Sequence, residues 1–475
     1  MSVLGVGVVQ FRPLLVLKHE IGNPQSRRDA PQCRSYPRRF HPLVASSASG
    51  AQYPAGELWD ARVKQQRKRI AGIDQDKLLD PTLLADPDSS FCEFQGVHIH
   101  HKLYDAQSQS KDYIPSQGLT LSHQTAKLNI PMILLHGFGA SVFSWNRVMK
   151  PLAEITASKV LAFDRPAFGL TSRVNILRHS SPGTDDKKPL NPYTMAYAVL
   201  ATLYFIDFLA AEKAILMGHS AGALVAINSY FEAPERVAAL ILVAPAILAP
   251  GGVHKVAEGN SPERTDQIER GRPKSDNLLK SFLKLVEIIS KFTQYIAGAV
   301  MQMAKGMADM LNSLYKKALS ALLRSALAVM LVRMIIDKFG IAAVKTAWYD
   351  SRQVTDHILQ GYTKPLRAKG WDRALVKFTA AMLLDNKSPT KIALRERLHE
   401  ISCPVLIVTG DTDRLVPSWN AERLSRAIPG CCFEVIKNCG HLPHEEKAEE
   451  FVSVVDKFLK RAFGSSEDQS LPAIT

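Results

Sequence analysis

Short apolar runs punctuate the chain: around Cys92-Glu93-Phe94, over Val97 to Tyr104, and at Ile130 to Leu135, Ala214 to Met217, Ala238 to Pro245 and Pro404 to Gly410. Runs of this length read as buried strands, and Phe433-Glu434-Val435-Ile436 alternates as a shorter strand does. Helical patterns lie between them. Tyr193 to Ala211 is predicted to turn Leu200, Leu203, Phe205 and Leu209 towards the sheet, Ala223 to Ile227 opens another helix, and a third runs from Glu445 to Phe458. Strands alternating with helices predict an α/β fold with a mostly parallel central sheet flanked by helices.

The alternation stops after Ala238–Pro245 and resumes only at Pro404, leaving about 150 residues (247–401) for an inserted helical cap. From Asp276 to Ile341 the residues favour helix. Leu278, Leu279, Phe282, Leu283, Val286 and Ile289 lie on one side, with Lys280, Lys284, Glu287, Lys291 and Gln294 on the other. Six of the twelve methionines fall here, at positions 301, 303, 307, 310, 330 and 334. Methionine is flexible and polarizable, so Met301, Met303, Met307 and Met310 are the candidates for contacting a long apolar substrate; the other reading is ordinary cap packing. Ala318–Ile336 is the most hydrophobic stretch. Arg324 and Arg333 would each cost about 2.5–3.5 kcal/mol near a bilayer centre, which argues against a membrane span and leaves an interfacial helix open.

Charge and composition then divide the remaining length. Residues 1–50 carry seven Lys or Arg against Glu20 and Asp29, with serines throughout, as an organelle transit peptide does. Import into a chloroplast or other plastid is the first expectation and a mitochondrion the second. Residues 51–90 read as a charged helix (Glu57 to Ile70) and a linker (Asp80-Pro81 to Asp88), 91–246 and 402–463 as the two parts of the core, and 464–475 as a disordered tail. Long polar loops are expected at Gln107–Leu128 and Arg173–Pro192. The net charge of +14 fits an anionic surface, while no nucleic-acid motif accompanies it. Six cysteines without paired spacing predict no disulfide framework. His98, His100 and His101 sit in an alternating strand without further ligands at metal spacing, so neither a metal nor a cofactor is expected.

The chemistry starts at Gly218-His219-Ser220-Ala221-Gly222, where a strand precedes and a helix follows. Flanking glycines permit a turn tight enough to lift the Ser220 hydroxyl above the sheet at a helix N-terminus. A serine needs a base and an orienting carboxylate to become a nucleophile. Asp413, after the strand ending at Gly410, and His441, after Asn438-Cys439-Gly440, supply both; Asp411 and His444 are the competing candidates. Gly137 and Gly139 follow the strand ending at Leu135, so the amides of Phe138 and Ala221 are the candidate oxyanion donors. His136 and His219 read as scaffold hydrogen-bonding groups.

On these residues, with Asp164-Arg165-Pro166-Ala167-Phe168-Gly169-Leu170-Thr171 and Gly440-His441-Leu442-Pro443-His444-Glu445, the chain resembles the α/β-hydrolase fold superfamily. The resemblance is to its esterase, lipase and C–C hydrolase branch, as a plant-type plastid member. It runs from about Phe94 to Phe463. Ala167 departs from it, where many relatives carry glycine. The resemblance implies the order Ser220, Asp413, His441 for the triad, a lid inserted after strand 6, and no aspartate nucleophile of the dehalogenase or epoxide-hydrolase kind. The expected activity is cleavage of a carboxylic ester of a hydrophobic or lipid-like substrate through an acyl-enzyme. An acyltransferase with the same triad, and a non-catalytic receptor for a small hydrophobic ligand, are the alternatives. Peripheral membrane contact is also left open.

Overall fold

The computed structural model describes residues 69–106, 128–173, 190–249, 291, 301–303, 305–384 and 394–464. The transit-like segment, all but the end of the charged helix, most of the two polar loops, the first part of the cap and nearly all of the tail lie outside the described residues. Those described belong to one compact unit, Trp59–Thr475.

Eight strands form one sheet: β1 (Ser89–Phe94), β2 (Val97–Asp105), β3 (Met132–Leu135), β4 (Lys159–Phe163), β5 (Ala214–His219), β6 (Val237–Val243), β7 (Val405–Gly410) and β8 (Cys432–Ile436). Their spatial order is β1-β2-β4-β3-β5-β6-β7-β8. β2 runs antiparallel to β1 and to β4, and every other neighbouring pair is parallel. Parallel neighbours need crossover connections, which α1 (Met149–Thr156), α2 (Met195–Phe208) and α3 (Ala221–Glu232) supply in the first half. α8 (Ser418–Arg426) joins β7 to β8, and α9 (Ala448–Phe463) closes the fold. This is the mostly parallel α/β sheet that the apolar runs predicted.

Both faces of the sheet are covered, so successive strand residues feed two separate cores. Ile133, Leu135, Leu161, Phe163, Leu216 and Leu242 share one with Tyr197 and Phe205 of α2 and Val225 of α3. Met132, Leu134, Val160, Ala162, Met217 and Ile241 share the other with Leu152 of α1 and Phe451 and Val455 of α9. Each such side chain, fully withdrawn from water, contributes about 1.5–3 kcal/mol. Of the residues expected to face the sheet, Phe205 and, just past the end of α2, Leu209 are buried and Leu203 packs half-buried against the core, but Leu200 lies at the surface. The helix is apolar nearly all round, so periodicity does not define its inner face, which uses Tyr197, Ala201 and Ile206 instead.

Asp80–Asp88, expected as a linker, is fastened to the body. Asp80 accepts the Thr82 amide at 3.0 Å and starts a 3-10 turn (Pro81–Leu84) whose Leu84 is buried. Asp86 pairs with Lys102 of β2 at 3.1 Å and with Lys364 of the cap at 2.5 Å. Leu79 and the cap exchange backbone bonds through Arg367 and Lys369, at 2.9 and 2.8 Å.

The described part of the cap includes α4 (Met301–Arg324), α5 (Ala326–Ala347), α6 (Asp356–Thr363) and α7 (Trp371–Leu384). The hydrophobic stretch Ala318–Ile336 is not one helix. The chain breaks at Ser325, whose hydroxyl donates to the Leu322 carbonyl at 2.6 Å, and α4 and α5 meet at a 73° bend. No single described helix is long and apolar enough to cross a membrane; the bent pair together passes on length and composition alone.

Cap and core meet along the segment that carries His441. The His441 amide donates to the Ala347 carbonyl at 2.7 Å, the Tyr349 amide to Glu446 Oε2 at 2.7 Å, and the Tyr362 hydroxyl to Glu445 Oε1 at 2.5 Å. α6 lies so close that a Cβ at Gly361 would enter the Phe143 ring. Burial raises the Glu445 carboxyl from 4.5 to about 8; the Tyr362 bond opposes this and neighbouring Glu446 adds to it. Glu445 is therefore neutral in the folded protein at neutral pH. A folded-state pKa above the unfolded one means stability that is complete below about pH 4.5 and is lost as pH rises through about 8. Denaturant titrations should show the wild type losing stability, on the order of several kcal/mol, between about pH 5 and about pH 9. Glu445→Gln, which keeps an acceptor for Tyr362, should flatten that dependence; an unchanged slope in the variant would refute the assignment.

Candidate active site

Ser220 sits between the end of β5 and the first residue of α3, with φ +50° and ψ −115°. A non-glycine residue held there costs about 1–3 kcal/mol, and the surroundings leave it little choice. A Cβ on Gly218 would stand 2.5 Å from the Gly222 carbonyl oxygen and 2.6 Å from the Ala223 nitrogen, and one on Gly222 would collide with the Leu135 carbonyl. The two glycines thus let strand, turn and helix cross within van der Waals limits of β3. The Ser220 amide is held by Val243 at 2.9 Å, and the Ser220 carbonyl accepts from Ala223 and Ala246 at 3.1 and 3.2 Å. The residue is half-buried, and its hydroxyl makes no hydrogen bond among the described residues.

Asp413 and His441 come together at the same carboxyl edge of the sheet, beyond β7 and β8. Asp413 Oδ1 accepts the Leu415 and Val416 amides, each at 2.8 Å, and Oδ2 accepts from His441 Nδ1 at 2.7 Å. A carboxylate partner fixes the proton on Nδ1 and leaves Nε2 as the basic nitrogen. Both side chains are buried. His219, the residue before Ser220, ties His441 to the serine turn: its Nε2–H donates to the His441 carbonyl at 3.0 Å, and the two rings lie 4.8 Å apart.

The competing candidates are otherwise engaged. Asp411 bonds the Thr412 hydroxyl at 2.8 Å and the Cys439 amide at 3.3 Å, which pins the β7 and β8 loops together. His444 lies in an aromatic box of Trp145, His219 and Phe451, the Trp145 ring at 4.3 Å, with neither ring nitrogen hydrogen-bonded. Burial pushes its pKa down to about 3, reinforced by His441. Burial likewise lowers His219 well below its ordinary value, with His444 and His441 adding to the effect. His136 falls to about 4 through burial and the adjacent Arg165. These three imidazoles stay neutral, and His136 acts as scaffold: its Nε2 accepts the Arg165 amide at 3.0 Å.

The loop after β3 brings the second half of the site. A Cβ on Gly137 would stand 2.9 Å from His219 Nδ1 and 3.2 Å from the Ser220 Cβ, so the loop passes directly over the serine turn. Gly139, with φ +74°, reverses the chain just beyond. Among the described residues the amides of Phe138 and Ala221 donate to no protein group. Asp164 holds this loop from below. Fully buried, it accepts the Val142 and Leu170 amides and His100 Nδ1, each at 2.7 Å. Burial opposes its ionisation, but His100 and these hydrogen bonds prevail, and its pKa is lowered. His100 is therefore a partner of Asp164, and His101, also buried, packs against Phe205 and Phe208. His98 is exposed on the same strand.

One feature has no local signal in the sequence. The Phe138 ring, 53 % exposed, stands edge-on to Phe168 at 5.3 Å, and Phe378 of α7 caps Phe168 at 4.8 Å and faces Phe138 at 6.1 Å. Phe138 and Phe168 lie inside recognisable turns, but their partner is more than 200 residues further along the chain. Met301, Met303, Met307 and Met310, the expected substrate contacts, are instead 57–70 % exposed on α4 and belong to no buried cluster. The five described cysteines are free thiols.

A sequence model of the alpha/beta hydrolase family matches residues 132–454. The chain is 34% identical over 119 residues to abhydrolase domain-containing protein abhd-5.2 of Caenorhabditis elegans, covering 25% of this chain and 24% of that one. It is 24% identical over 329 residues to the dihydrolipoyllysine-residue acetyltransferase component of the acetoin cleaving system of Cupriavidus necator, covering 69% and 63%. A 2-hydroxy-6-oxononadienedioate/2-hydroxy-6-oxononatrienedioate hydrolase of Klebsiella pneumoniae is 23% identical over 334 residues, covering 70% and 87%. The chain thus spans less than two thirds of the length of the first two relatives. Solved structures similar to it include a membrane phospholipase A (17% identity, TM-score 0.46, 86% and 93% of the two chains) and a meta-cleavage product hydrolase (18%, 0.44, 78% and 98%). With the match taking in more than half of its length, and its sheet interrupted by a cap after β6, the chain belongs to the alpha/beta hydrolase family.

Proposed function

We propose that the protein is a serine hydrolase that cleaves a carboxylic ester of a hydrophobic substrate through an acyl-enzyme. The observation that carries the reading is the 2.7 Å bond from His441 Nδ1 to Asp413, next to a serine turn held at φ +50°. His441 Nε2 takes the Ser220 proton as Oγ attacks the carbonyl carbon, and Asp413 stabilises the imidazolium that results. The Phe138 and Ala221 amides receive the negative charge that develops on the carbonyl oxygen, each worth about 2.7–4 kcal/mol in such a hole. His441 then gives its proton to the departing alcohol, removes one from water as the water oxygen attacks the acyl carbon, and returns that proton to Oγ as the acid leaves and Ser220 is freed. The Phe138, Phe168 and Phe378 rings beside the hole favour an apolar acyl or alcohol group.

Labelling of the purified protein with a fluorophosphonate tests the nucleophile and the base together. Ser220→Ala should abolish labelling, and both Ser220→Ala and His441→Ala should lower ester hydrolysis by about 10⁴-fold or more. His444→Phe, in a box where neither ring nitrogen has a hydrogen bond, should label within about threefold of wild type. Loss of labelling in His444→Phe with retention in His441→Ala would reverse the assignment of the base. Unaltered labelling of Ser220→Ala would end it. Turnover that appears only when an alcohol acceptor is supplied would favour the acyltransferase reading.

A chain-length series of p-nitrophenyl esters tests the aromatic wall. Phe378→Ala should reduce kcat/KM for medium-chain esters by about tenfold, the scale of one lost apolar contact surface, and leave acetate nearly unchanged. Equal losses on all chain lengths would show that Phe378 supports the cap and does not contact substrate.

A further inference from the structure

α4 is an amphipathic helix, and among the described residues its apolar side chains belong to no buried cluster. At about 100° per residue, Met303, Met307, Met310, Leu311, Leu314, Tyr315 and Leu322 fall within a single arc of about 140°. Lys305, Asp309, Asn312, Ser313, Lys316, Lys317, Ser320 and Arg324 occupy the opposite arc. In the first group only Leu322, at 39 %, is less than half exposed. Beyond the bend α5 also exposes Met330, Ile335 and Phe339, each more than half exposed but not on one face, so the continuous apolar arc is that of α4. A contiguous apolar surface of this size on a helix marks an interaction site.

Two features say what covers it. The first is charge: α4 carries Lys305, Lys316, Lys317 and Arg324 against Asp309 alone, and two of these cations, Lys317 and Arg324, border the apolar arc. Acidic phospholipid headgroups complement that arrangement, with the cations at headgroup level and the apolar arc in the acyl boundary. The second is anchorage. α5 is bound to the cap helix α7 through Arg333 Nε to the buried Asp372 at 2.7 Å, and to the segment before the sheet through Asp337 Oδ1, which accepts the Ala71 amide at 2.9 Å. Those bonds fix α5 against the protein, and polar residues run the full length of α4, so α4 is built to lie along a surface and not to cross it.

We infer that α4 docks the protein onto an anionic lipid bilayer as an interfacial helix, whatever chemistry Ser220 performs. Co-sedimentation of the full chain with vesicles of phosphatidylcholine containing about 30 mol % phosphatidylglycerol, against phosphatidylcholine alone, tests this. The wild type should bind the anionic vesicles and lose about tenfold in binding between about 0.1 and about 0.5 M salt. Leu311→Glu/Leu314→Glu should weaken binding by about tenfold or more, and Lys316→Gln/Lys317→Gln should weaken it less and only on the anionic vesicles. Both pairs of positions are exposed, so the thermal midpoint and fluorophosphonate labelling should match wild type and report an intact fold. Absence of binding by the wild type, or equal binding by Leu311→Glu/Leu314→Glu, would overturn the proposal. So would a wild-type dimer in light scattering that this variant dissociates without any vesicle binding, because the occupant would then be a second copy of the chain.

Discussion

The site depends on a backbone crossing in which there is no room for side chains. β5, the serine turn and α3 pass so close to β3 that Gly218 and Gly222 are the only residue types sterically admissible, and Ser220 between them is held with a positive φ. That conformation is unfavourable on its own and persists because fully buried strands on both sides fix where β5 ends and α3 begins. Its result is geometric: the serine side chain emerges at the N-terminus of a helix, under the loop that follows β3. Everything else at the carboxyl edge of the sheet is arranged around a point that the packing has already fixed.

Burial also sorts the histidines. Four imidazoles crowd within this region, and an uncompensated positive charge on any of them would be costly. Three are kept neutral by desolvation, His136 at about 4, His444 at about 3 and His219 well below its ordinary value, and serve as acceptors, donors or packing surfaces. Of these four, only His441 has a carboxylate on its Nδ1. Asp164 does for the opposite side of the site what Asp413 does for His441: it is a buried carboxylate satisfied by three donors, two of them backbone amides. Because the His441 amide is bonded to Ala347 and Glu446 to Tyr349, the cap is attached to the loop that carries the base. Cap position and imidazole position are therefore mechanically linked.

The legible part of this arrangement was the part written in local sequence. Apolar runs marked seven of the eight strands to within three residues, because a sheet covered on both faces needs continuous apolar stretches, but β4 (Lys159–Phe163), a run of five residues that opens on a lysine, was not singled out. The glycines around Ser220 marked the turn because close approach is a local requirement. Side chains whose meaning depends on distant partners were not legible. Phe378 is an unremarkable aromatic in α7 until the fold brings it to Phe168. Glu445 reads as an ordinary helix-start acid, yet burial under Tyr362 makes it a neutral group. The break at Ser325 divides a stretch whose hydrophobicity is continuous, and the α4 methionines, expected to contact substrate, face outward. A hydrophobic pattern records that a face is apolar and says nothing of whether protein or another phase covers it.

The most direct measurement of the central claim is a crystal structure of the phosphonylated protein. The account predicts density continuous from Ser220 Oγ to phosphorus, with the phosphoryl oxygen within hydrogen-bonding distance of both the Phe138 and Ala221 amides and His441 Nε2 facing Oγ. An adduct on another residue, or a phosphoryl oxygen turned away from those amides with His441 remote from Ser220, would contradict it.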